Sequence, residues 1–135
     1  MAFADPAKGR SVIVSPGPAA AVVTVAEAVK EGDILGYSSG WKRALATTGT
    51  AIQGRFVALK DTPSGGQCPV ATHCVVTGYT GATPGTFVYV AEGTSNGQVT
   101  QTAPTTSGDC NVIIGVALSA TEIQFFLNSR ADGVA

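Results

Sequence analysis

Charged residues and long apolar runs are scarce in this chain of 135 residues, and each shortage excludes a class of protein. Only 13% of the residues are charged and the formal net charge is −1, so no strong field attracts nucleic acid or an anionic membrane. The apolar runs have the length of strands, well short of the roughly 20 residues that a membrane helix needs. The first residues also lack the basic start and apolar block of a signal peptide. We therefore expect synthesis in a cytoplasm, with no nucleic-acid or membrane partner.

Cysteine is also scarce. The three cysteines, Cys68, Cys74 and Cys110, are an odd number, which does not suit the disulfide framework of a small secreted domain. A chain of this length buries roughly two-thirds of its unfolded surface, so it forms a core without disulfides. We predict reduced, buried thiols, and the sequence leaves any further role of these cysteines open.

The strongest pattern in the chain is a pair of apolar runs near its end. Residues 112–118 and 123–127 are rich in β-branched and aromatic side chains and flank the short polar segment 119–122. They predict a central β-hairpin, because runs of this composition and length are typical of buried strands. Gly115 interrupts the first run, which indicates a bulge or the close approach of another backbone.

A second pattern is a loose internal repeat. A predicted hairpin over residues 32–46 is followed by a return strand over residues 55–60, and a hairpin over 85–102 is followed by the run 112–118. Both return strands contain Val-Ala-Leu. A further strand is predicted over residues 69–76. Short strands with turn residues every ~8–12 positions predict an all-β barrel or sandwich of the β-tulip kind.

Composition divides the chain into three segments. Residues 1–21 are punctuated by proline and glycine and contain one apolar run, so they predict a flexible, extended N-terminal arm. The run in this arm is short and β-prone, which favours strand addition to a neighbour's sheet edge. Residues 22–128 form the predicted β-domain, and residues 129–135 a flexible C-terminal tail.

One motif resembles a hydrolase nucleophile elbow. Gly36, Ser38 and Gly40 fit the G-x-S-x-G pattern, and His73 is the only histidine available as a base. The elbow requires a strand before the serine and a helix after it. Because the residues from Trp41 onward have the pattern of a strand, we interpret the motif as a hairpin turn and expect no enzyme.

Three cysteines and a histidine form the only candidate metal set. Cys68, His73, Cys74 and Cys110 would make a legitimate zinc site by residue type. Alternation along the predicted strand, however, puts Cys74 on the face of Cys68 and His73 on the opposite face. The closely spaced cysteine pair typical of zinc sites is also missing. We therefore expect neither a metal nor another cofactor.

Trp41, Lys42 and Arg43 combine an aromatic ring with two cations, as in proteins that bind single-stranded nucleic acid. One such triplet without other basic support is a weak indication of that function. We expect Trp41 to pack over the end of the β-domain or at a subunit contact.

The order of several short phrases resembles the capsid decoration, or cement, proteins of tailed bacteriophages. The similarity covers about residues 22–127 and leaves the arm outside. The phrases that carry it are residues 29–37, 57–59, 83–90, 113–118 and 121–123.

This resemblance implies a trimeric structural protein that docks on the outside of an icosahedral head and bridges subunits of the major capsid protein. It implies no catalytic residue, and it makes the arm a candidate for the shell contact. Removing residues 1–15 is then expected to leave a folded protein that binds the shell weakly. Another virion part, such as a head fibre base or a tail protein, and a carbohydrate-binding module are the alternatives. The candidate capsid or subunit contacts are Phe3, Val12, Ile13, Val14, Trp41 and Arg43.

Overall fold

The computed structural model describes residues 12–16, 21–47, 49, 51–91, 97–105, 107 and 112–127, with the backbone only for residues 12–16. These residues form eleven strands and no helix, so none of them belongs to a helix that is long and apolar enough to cross a membrane. The strands are β1 (Val12–Pro16), β2 (Ala21–Thr24), β3 (Ile34–Tyr37), β4 (Trp41–Arg43), β5 (Phe56–Ala58), β6 (Gln67–Ala71), β7 (His73–Thr77), β8 (Phe87–Val90), β9 (Val99–Thr100), β10 (Gly115–Ala117) and β11 (Glu122–Phe126).

The strands form two antiparallel sheets. One sheet has six strands in the order β1-β7-β11-β10-β8-β9, and the other has five in the order β2-β6-β5-β3-β4. A single parallel bridge between Val25 and Trp41 brings the two edges of the five-stranded sheet together at one end. This sheet is therefore curled, without closing into a barrel. The predicted all-β class is confirmed, in the form of a sandwich-like pair of sheets.

The two sheets repeat one topology. Without β1, each sheet arranges its five strands in the order first, fifth, fourth, second, third. The backbone bonds repeat as well: the Gly32 N–H donates to the Ala58 carbonyl at 2.8 Å, and the Gly85 N–H donates to the Ala117 carbonyl at 2.8 Å. The two Val-Ala phrases lie in β5 and β10, which occupy the same place in the two sheets. The predicted repeat is confirmed.

A tight turn precedes the second strand of each repeat. The turn of residues 30–33 is closed by a bond from the Asp33 N–H to the Lys30 carbonyl at 3.0 Å, and the turn of residues 83–86 by a bond from Thr86 to Thr83 at 3.2 Å. The third residue of these turns, Gly32 or Gly85, has a φ of 90° or 81° respectively. Glycine is required there, because a type II turn needs a positive φ at its third position.

Two apolar clusters stabilise the fold. The larger lies on the inner face of the six-stranded sheet and includes Phe125 and Ile123, together with Ile34 of the other sheet. The second cluster lies on the face of the five-stranded sheet that is opposite to the Ile34 side chain, and it includes Leu35 and Val70. Since Ile34 and Leu35 are neighbours in β3, this strand is buried on both faces. Its continuous apolar sequence follows from that position.

The prediction of a single strand over residues 69–76 was wrong. The chain forms β6, passes Thr72 and begins β7 in the other sheet. The apolar pattern continues through the change of sheet because each strand has a buried side, so periodicity alone cannot locate the junction. The Thr72 carbonyl at the junction accepts a hydrogen bond from the Leu127 N–H at 2.9 Å. This residue marks the boundary between the two repeats.

The three predicted hairpins are confirmed as the pairs β3–β4, β8–β9 and β10–β11. Gly115 lies in regular register in β10, opposite Phe125. A Cβ atom added to Gly115 would lie 2.5 Å from the Gln124 carbonyl oxygen. Of the two interpretations of this glycine, close approach of a neighbouring backbone is therefore correct.

Candidate contact surfaces

The apolar run of the arm forms a strand within its own chain. β1 pairs antiparallel with β7, and this register places Val12 opposite Thr77 and Ile13 opposite Val76. Val14 lies at a shift in this register, between Ile13 and Ser15. The predicted strand addition therefore takes place on a sheet edge of the same molecule. Phe3 lies outside the described residues, and a contact of the arm with a shell stays a prediction.

Trp41 belongs to a cluster of three aromatic rings on the five-stranded sheet. Its ring centroid lies 5.4 Å from that of Tyr37, nearly edge to face at 79°, and 5.3 Å from that of Phe56. Tyr37 is 65% exposed, whereas Trp41 and Phe56 are half-buried. Antiparallel pairing places Tyr37 opposite Trp41, and the pairing of β3 with β5 brings Phe56 to the same part of the sheet. The cluster offers an amphipathic, partly exposed surface for contact with another molecule.

Arg43, the other candidate contact of β4, is held by Glu27. The Arg43 Nε lies 3.0 Å from the Glu27 Oε2, and the Arg43 backbone N–H donates to the same oxygen at 2.9 Å. Burial raises the pKa of Glu27, but the two hydrogen bonds and the positive charge of Arg43 outweigh it, so the pKa lies below its usual value. Arg43 therefore presents less free positive charge than the triplet Trp41-Lys42-Arg43 suggests.

A buried carboxyl group lies close to this ion pair and was not singled out in the sequence. Asp33 is 7% exposed, and its Oδ2 accepts the Lys30 N–H at 2.9 Å. Burial raises the pKa of Asp33 to about 6, although the hydrogen bond from Lys30 and the charge of Arg43 act in the opposite direction. The negative charges of Asp61 and Glu27 add to the rise. Asp33 therefore titrates near neutral pH.

The outer face of the six-stranded sheet carries exposed apolar side chains. Phe87 and Leu118 are each 48% exposed. Val116 lies opposite Phe87 on one side and opposite Gln124 on the other, so these residues line one face in register. Large exposed apolar side chains on a sheet face with a polar neighbour are typical of a contact surface. This face could not be predicted from the sequence, because alternation along a strand does not show which side of the sheet faces solvent.

Ser38 lies in a turn of the five-stranded sheet, whereas His73 belongs to a strand of the six-stranded sheet. Ser38 is in the turn between β3 and β4, where its N–H donates to the Gly40 carbonyl at 2.9 Å. His73 is an exposed residue of β7, and its Nδ1 lies 2.9 Å from the Thr72 hydroxyl. The residues that follow the serine form a strand instead of the helix of a nucleophile elbow. The interpretation of G-x-S-x-G as a hairpin turn is confirmed.

The cysteines lie in separate cores. Cys68 is buried in the second cluster and Cys74 in the first, and burial raises the pKa of Cys74 to about 11. The prediction that they share a face was wrong, because the change of sheet at Thr72 separates them. Both are free buried thiols, as expected, and Cys110 lies outside the described part of the chain. Within that part, no three His, Cys, Asp or Glu side chains gather as a metal site would require.

An open hollow of about 300 Å³ lies beside residues 28–30 and 61–63. Its charged side chains are close to each other, with Lys30 Nζ 3.9 Å from Asp61 Oδ2. The Thr62 hydroxyl in its wall donates to the Lys60 carbonyl at 3.1 Å. The polar groups of Lys30, Asp61 and Thr62 beside the hollow thus contact other groups of the protein.

Comparison with known proteins gives no relative: the chain matches no protein-family model, no curated protein and no solved structure. The resemblance to capsid decoration proteins therefore stays a prediction.

Proposed function

We propose that this chain is a structural virion protein that binds the outside of an icosahedral phage head and stabilises it. In this role each copy bridges neighbouring subunits of the major capsid protein. Cementing of this kind needs no reaction site, because many modest contacts add through their high local concentration on the shell.

One observation carries the proposal: the two sheets each present exposed apolar side chains. Tyr37 is exposed on the five-stranded sheet, and Phe87 and Leu118 on the six-stranded sheet. A bridging protein requires at least two contact surfaces, and apolar groups exposed to water in the free protein gain most when a contact covers them. The low charge of the chain supports the same interpretation, because charged residues are depleted in the cores of protein interfaces.

Titration onto phage heads that lack the protein tests the proposal. We expect saturable binding, and we expect the double variant Tyr37→Ser with Leu118→Ser to bind at least ~10-fold more weakly, because it removes one apolar contact from each sheet. Lys60→Ala is the matched control, since it truncates an exposed side chain away from both surfaces and should leave binding unchanged. No saturable binding of the unmodified protein would reject the proposal.

The aromatic cluster supports a second candidate, a carbohydrate-binding module. Tyr37 and Trp41 lie within stacking distance of each other, and the exposed ring of Tyr37 can pack against the apolar face of a sugar. Titration with soluble oligosaccharides, followed by the fluorescence of the single Trp41, distinguishes the two candidates. A saturable change that is lost in Tyr37→Ser would favour the module over the decoration protein. A head fibre base or tail protein would instead bind purified fibres or tails in place of heads.

A further inference from the structure

The outer face of the six-stranded sheet carries an apolar patch, and we propose that residues 1–11 of the same chain bind to it in the free protein. These residues directly precede β1 in the sequence. In the proposed contact they cross the sheet from β1 towards β8, with their cations beside Glu122 and with Phe3 against the patch. The inference does not rest on the proposed function, because the binding segment and the face belong to one molecule.

The apolar patch consists of Phe87, Val116 and Leu118. Phe87 and Leu118 are each 48% exposed, and Val116 is half-buried opposite Phe87. The Leu118 N–H donates to the Glu122 carbonyl at 2.9 Å, which continues the β10–β11 register and puts Leu118 opposite Glu122. Strand alternation then places Leu118 on the same face as Val116. Such a patch gains free energy when an apolar segment covers it.

The chain enters the sheet at the end that carries this patch. Val12 lies opposite Thr77, and Thr77 lies opposite Glu122 on its other side. Leu118 is the next residue across, so these four residues form one row over the sheet. Because residue 11 is bonded to Val12, residues 1–11 start from this row.

The length of this segment permits the contact. Neighbouring strands lie ~4.8 Å apart, so Leu118 is about 14 Å from Val12 across three strand spacings, and Phe87 on the fourth is about 20 Å away. An extended chain spans ~3.3 Å per residue, so the nine residues from Phe3 to Val12 reach about 30 Å. Phe3 can therefore lie on the patch, with length to spare for a bend at Gly9.

The distribution of charge favours the same position. The cations of the segment, Lys8 and Arg10, are close to β1 in the sequence, whereas its anion, Asp5, is farther away. Glu122 lies two strand spacings from β1, and among the described residues no cation pairs with its carboxylate. Lys8 and Arg10 are thus within reach of Glu122. An exposed ion pair contributes little energy, but here it sets the direction in which the segment crosses the sheet.

Residues 128–135 fit the patch less well than residues 1–11. They follow the far end of β11, since Phe126 lies opposite His73 at that end and Glu122 lies at the other. They would have to run back along the whole of β11 to meet the patch. Val134 is their largest apolar side chain, whereas residues 1–11 contain a phenylalanine.

A contact within one chain is compatible with any number of subunits, including the trimer that the resemblance implies. It also has a consequence for the proposed function. A shell subunit that binds Phe87 and Leu118 has to displace residues 1–11, so the shell and this segment compete for one face.

Nuclear Overhauser effects in the full chain test the inference. We expect effects between the Phe3 ring and the Phe87 ring, and between the Phe3 ring and the Leu118 methyl groups. Leu118→Ser removes part of the patch, and Glu122→Gln removes the charge beside Lys8 and Arg10. Each should weaken the effect between the two rings.

Tryptic cleavage after Lys8, followed by mass spectrometry, gives a second measurement. We expect cleavage at least ~3-fold faster in Leu118→Ser and in Glu122→Gln, because trypsin cuts the segment only while it is away from the sheet. Tyr37→Ser is the matched control. It truncates an exposed side chain on the other sheet and should change neither the cleavage rate nor the effects between the rings.

Four outcomes would overturn the inference. One is the absence of any effect between Phe3 and the patch, and another is an equal cleavage rate in all variants. Effects from residues 128–135 would assign the patch to that segment instead. Effects seen only between differently labelled copies in a mixed sample would show that residues 1–11 bind a neighbouring molecule. Binding to phage heads is measured separately, so that failure of either proposal is recognisable.

Discussion

Among the described residues, Asp33 has a buried carboxyl group whose ionisation links the stability of the fold to pH. Its carboxyl is buried between the Lys30 backbone and Arg43, and its pKa is raised to about 6 from an ordinary 3.8. A raised carboxyl pKa means that the folded state holds its proton more tightly than the unfolded state. This contribution is complete below about pH 4, falls as the pH rises to about 6, and is absent above that.

We therefore predict that Asp33→Asn raises the free energy of unfolding by about 3 kcal/mol at pH 8 and hardly changes it at about pH 3. The asparagine oxygen can still accept the Lys30 N–H, and the amide has no charge to bury. Urea denaturation at the two pH values measures the difference. An equal effect at both pH values would show that the ionisation of Asp33 has no influence on folding.

Gly36 is the first glycine of the G-x-S-x-G motif, and the structure explains this glycine by close packing instead of by catalysis. A Cβ on this glycine would overlap the Gln53 carbonyl oxygen and lie 2.7 Å from the Ile52 Cγ2. We predict that Gly36→Ala lowers the free energy of unfolding by about 3 kcal/mol, because neighbouring backbone has to move.

Gly65→Ala is the control for this substitution. Gly65 has a φ of 85° in an open turn with no atom within 4 Å of an added Cβ, so the alanine should cost only about 1 kcal/mol of backbone strain. Similar losses for the two variants in thermal or urea denaturation would contradict the close packing assigned to Gly36.

At the scale of elements, β1 combines two roles that the sequence could not separate. β1 pairs with β7 as part of the folded domain. The resemblance to decoration proteins implies instead that the arm contacts the capsid shell. A truncation that removes residues 1–11 keeps β1, and one that removes residues 1–16 exposes the edge of β7.

We predict that loss of residues 1–16 lowers the free energy of unfolding by about 2–4 kcal/mol relative to loss of residues 1–11. The reason is that each backbone hydrogen bond of the β1–β7 pair contributes about 1 kcal/mol. Denaturation of the two truncated proteins measures this difference. Equal stability would mean that β1 leaves β7 in solution and is free to bind elsewhere.

The elements themselves were largely predictable, because turn residues and apolar runs determine short hairpins locally. The hairpin of β10 and β11 follows from two β-branched runs around a polar turn, and the repeat follows from matching phrases. The junction at Thr72 was not predictable, since both strands beside it have a buried face. The aromatic cluster at Trp41 and the burial of Asp33 depend on strand register and on which face is covered, which a single sequence does not specify.

At the scale of the whole molecule, the two repeats have the same strand order, but the edges of their sheets differ. The second repeat has its first strand covered by β1, whereas in the first repeat the residues that follow β2 meet β4 on that side, through the bridge between Val25 and Trp41. Each sheet also presents its own exposed apolar side chains, at Tyr37 and at Phe87. An asymmetric molecule of this kind can contact different neighbours through different sides, as the bridging of shell subunits requires.

The most direct test of the proposed function is the heat-induced rupture of phage heads with and without the bound protein. The proposal requires a phage that encodes this chain; heads of that phage are prepared without the protein, and the purified protein is added back until binding saturates. Release of packaged DNA to a fluorescent dye then reports rupture as the temperature rises. The proposal predicts that decorated heads rupture several degrees higher than bare heads, and that Tyr37→Ser with Leu118→Ser reduces this gain. Equal rupture temperatures at saturation would contradict it.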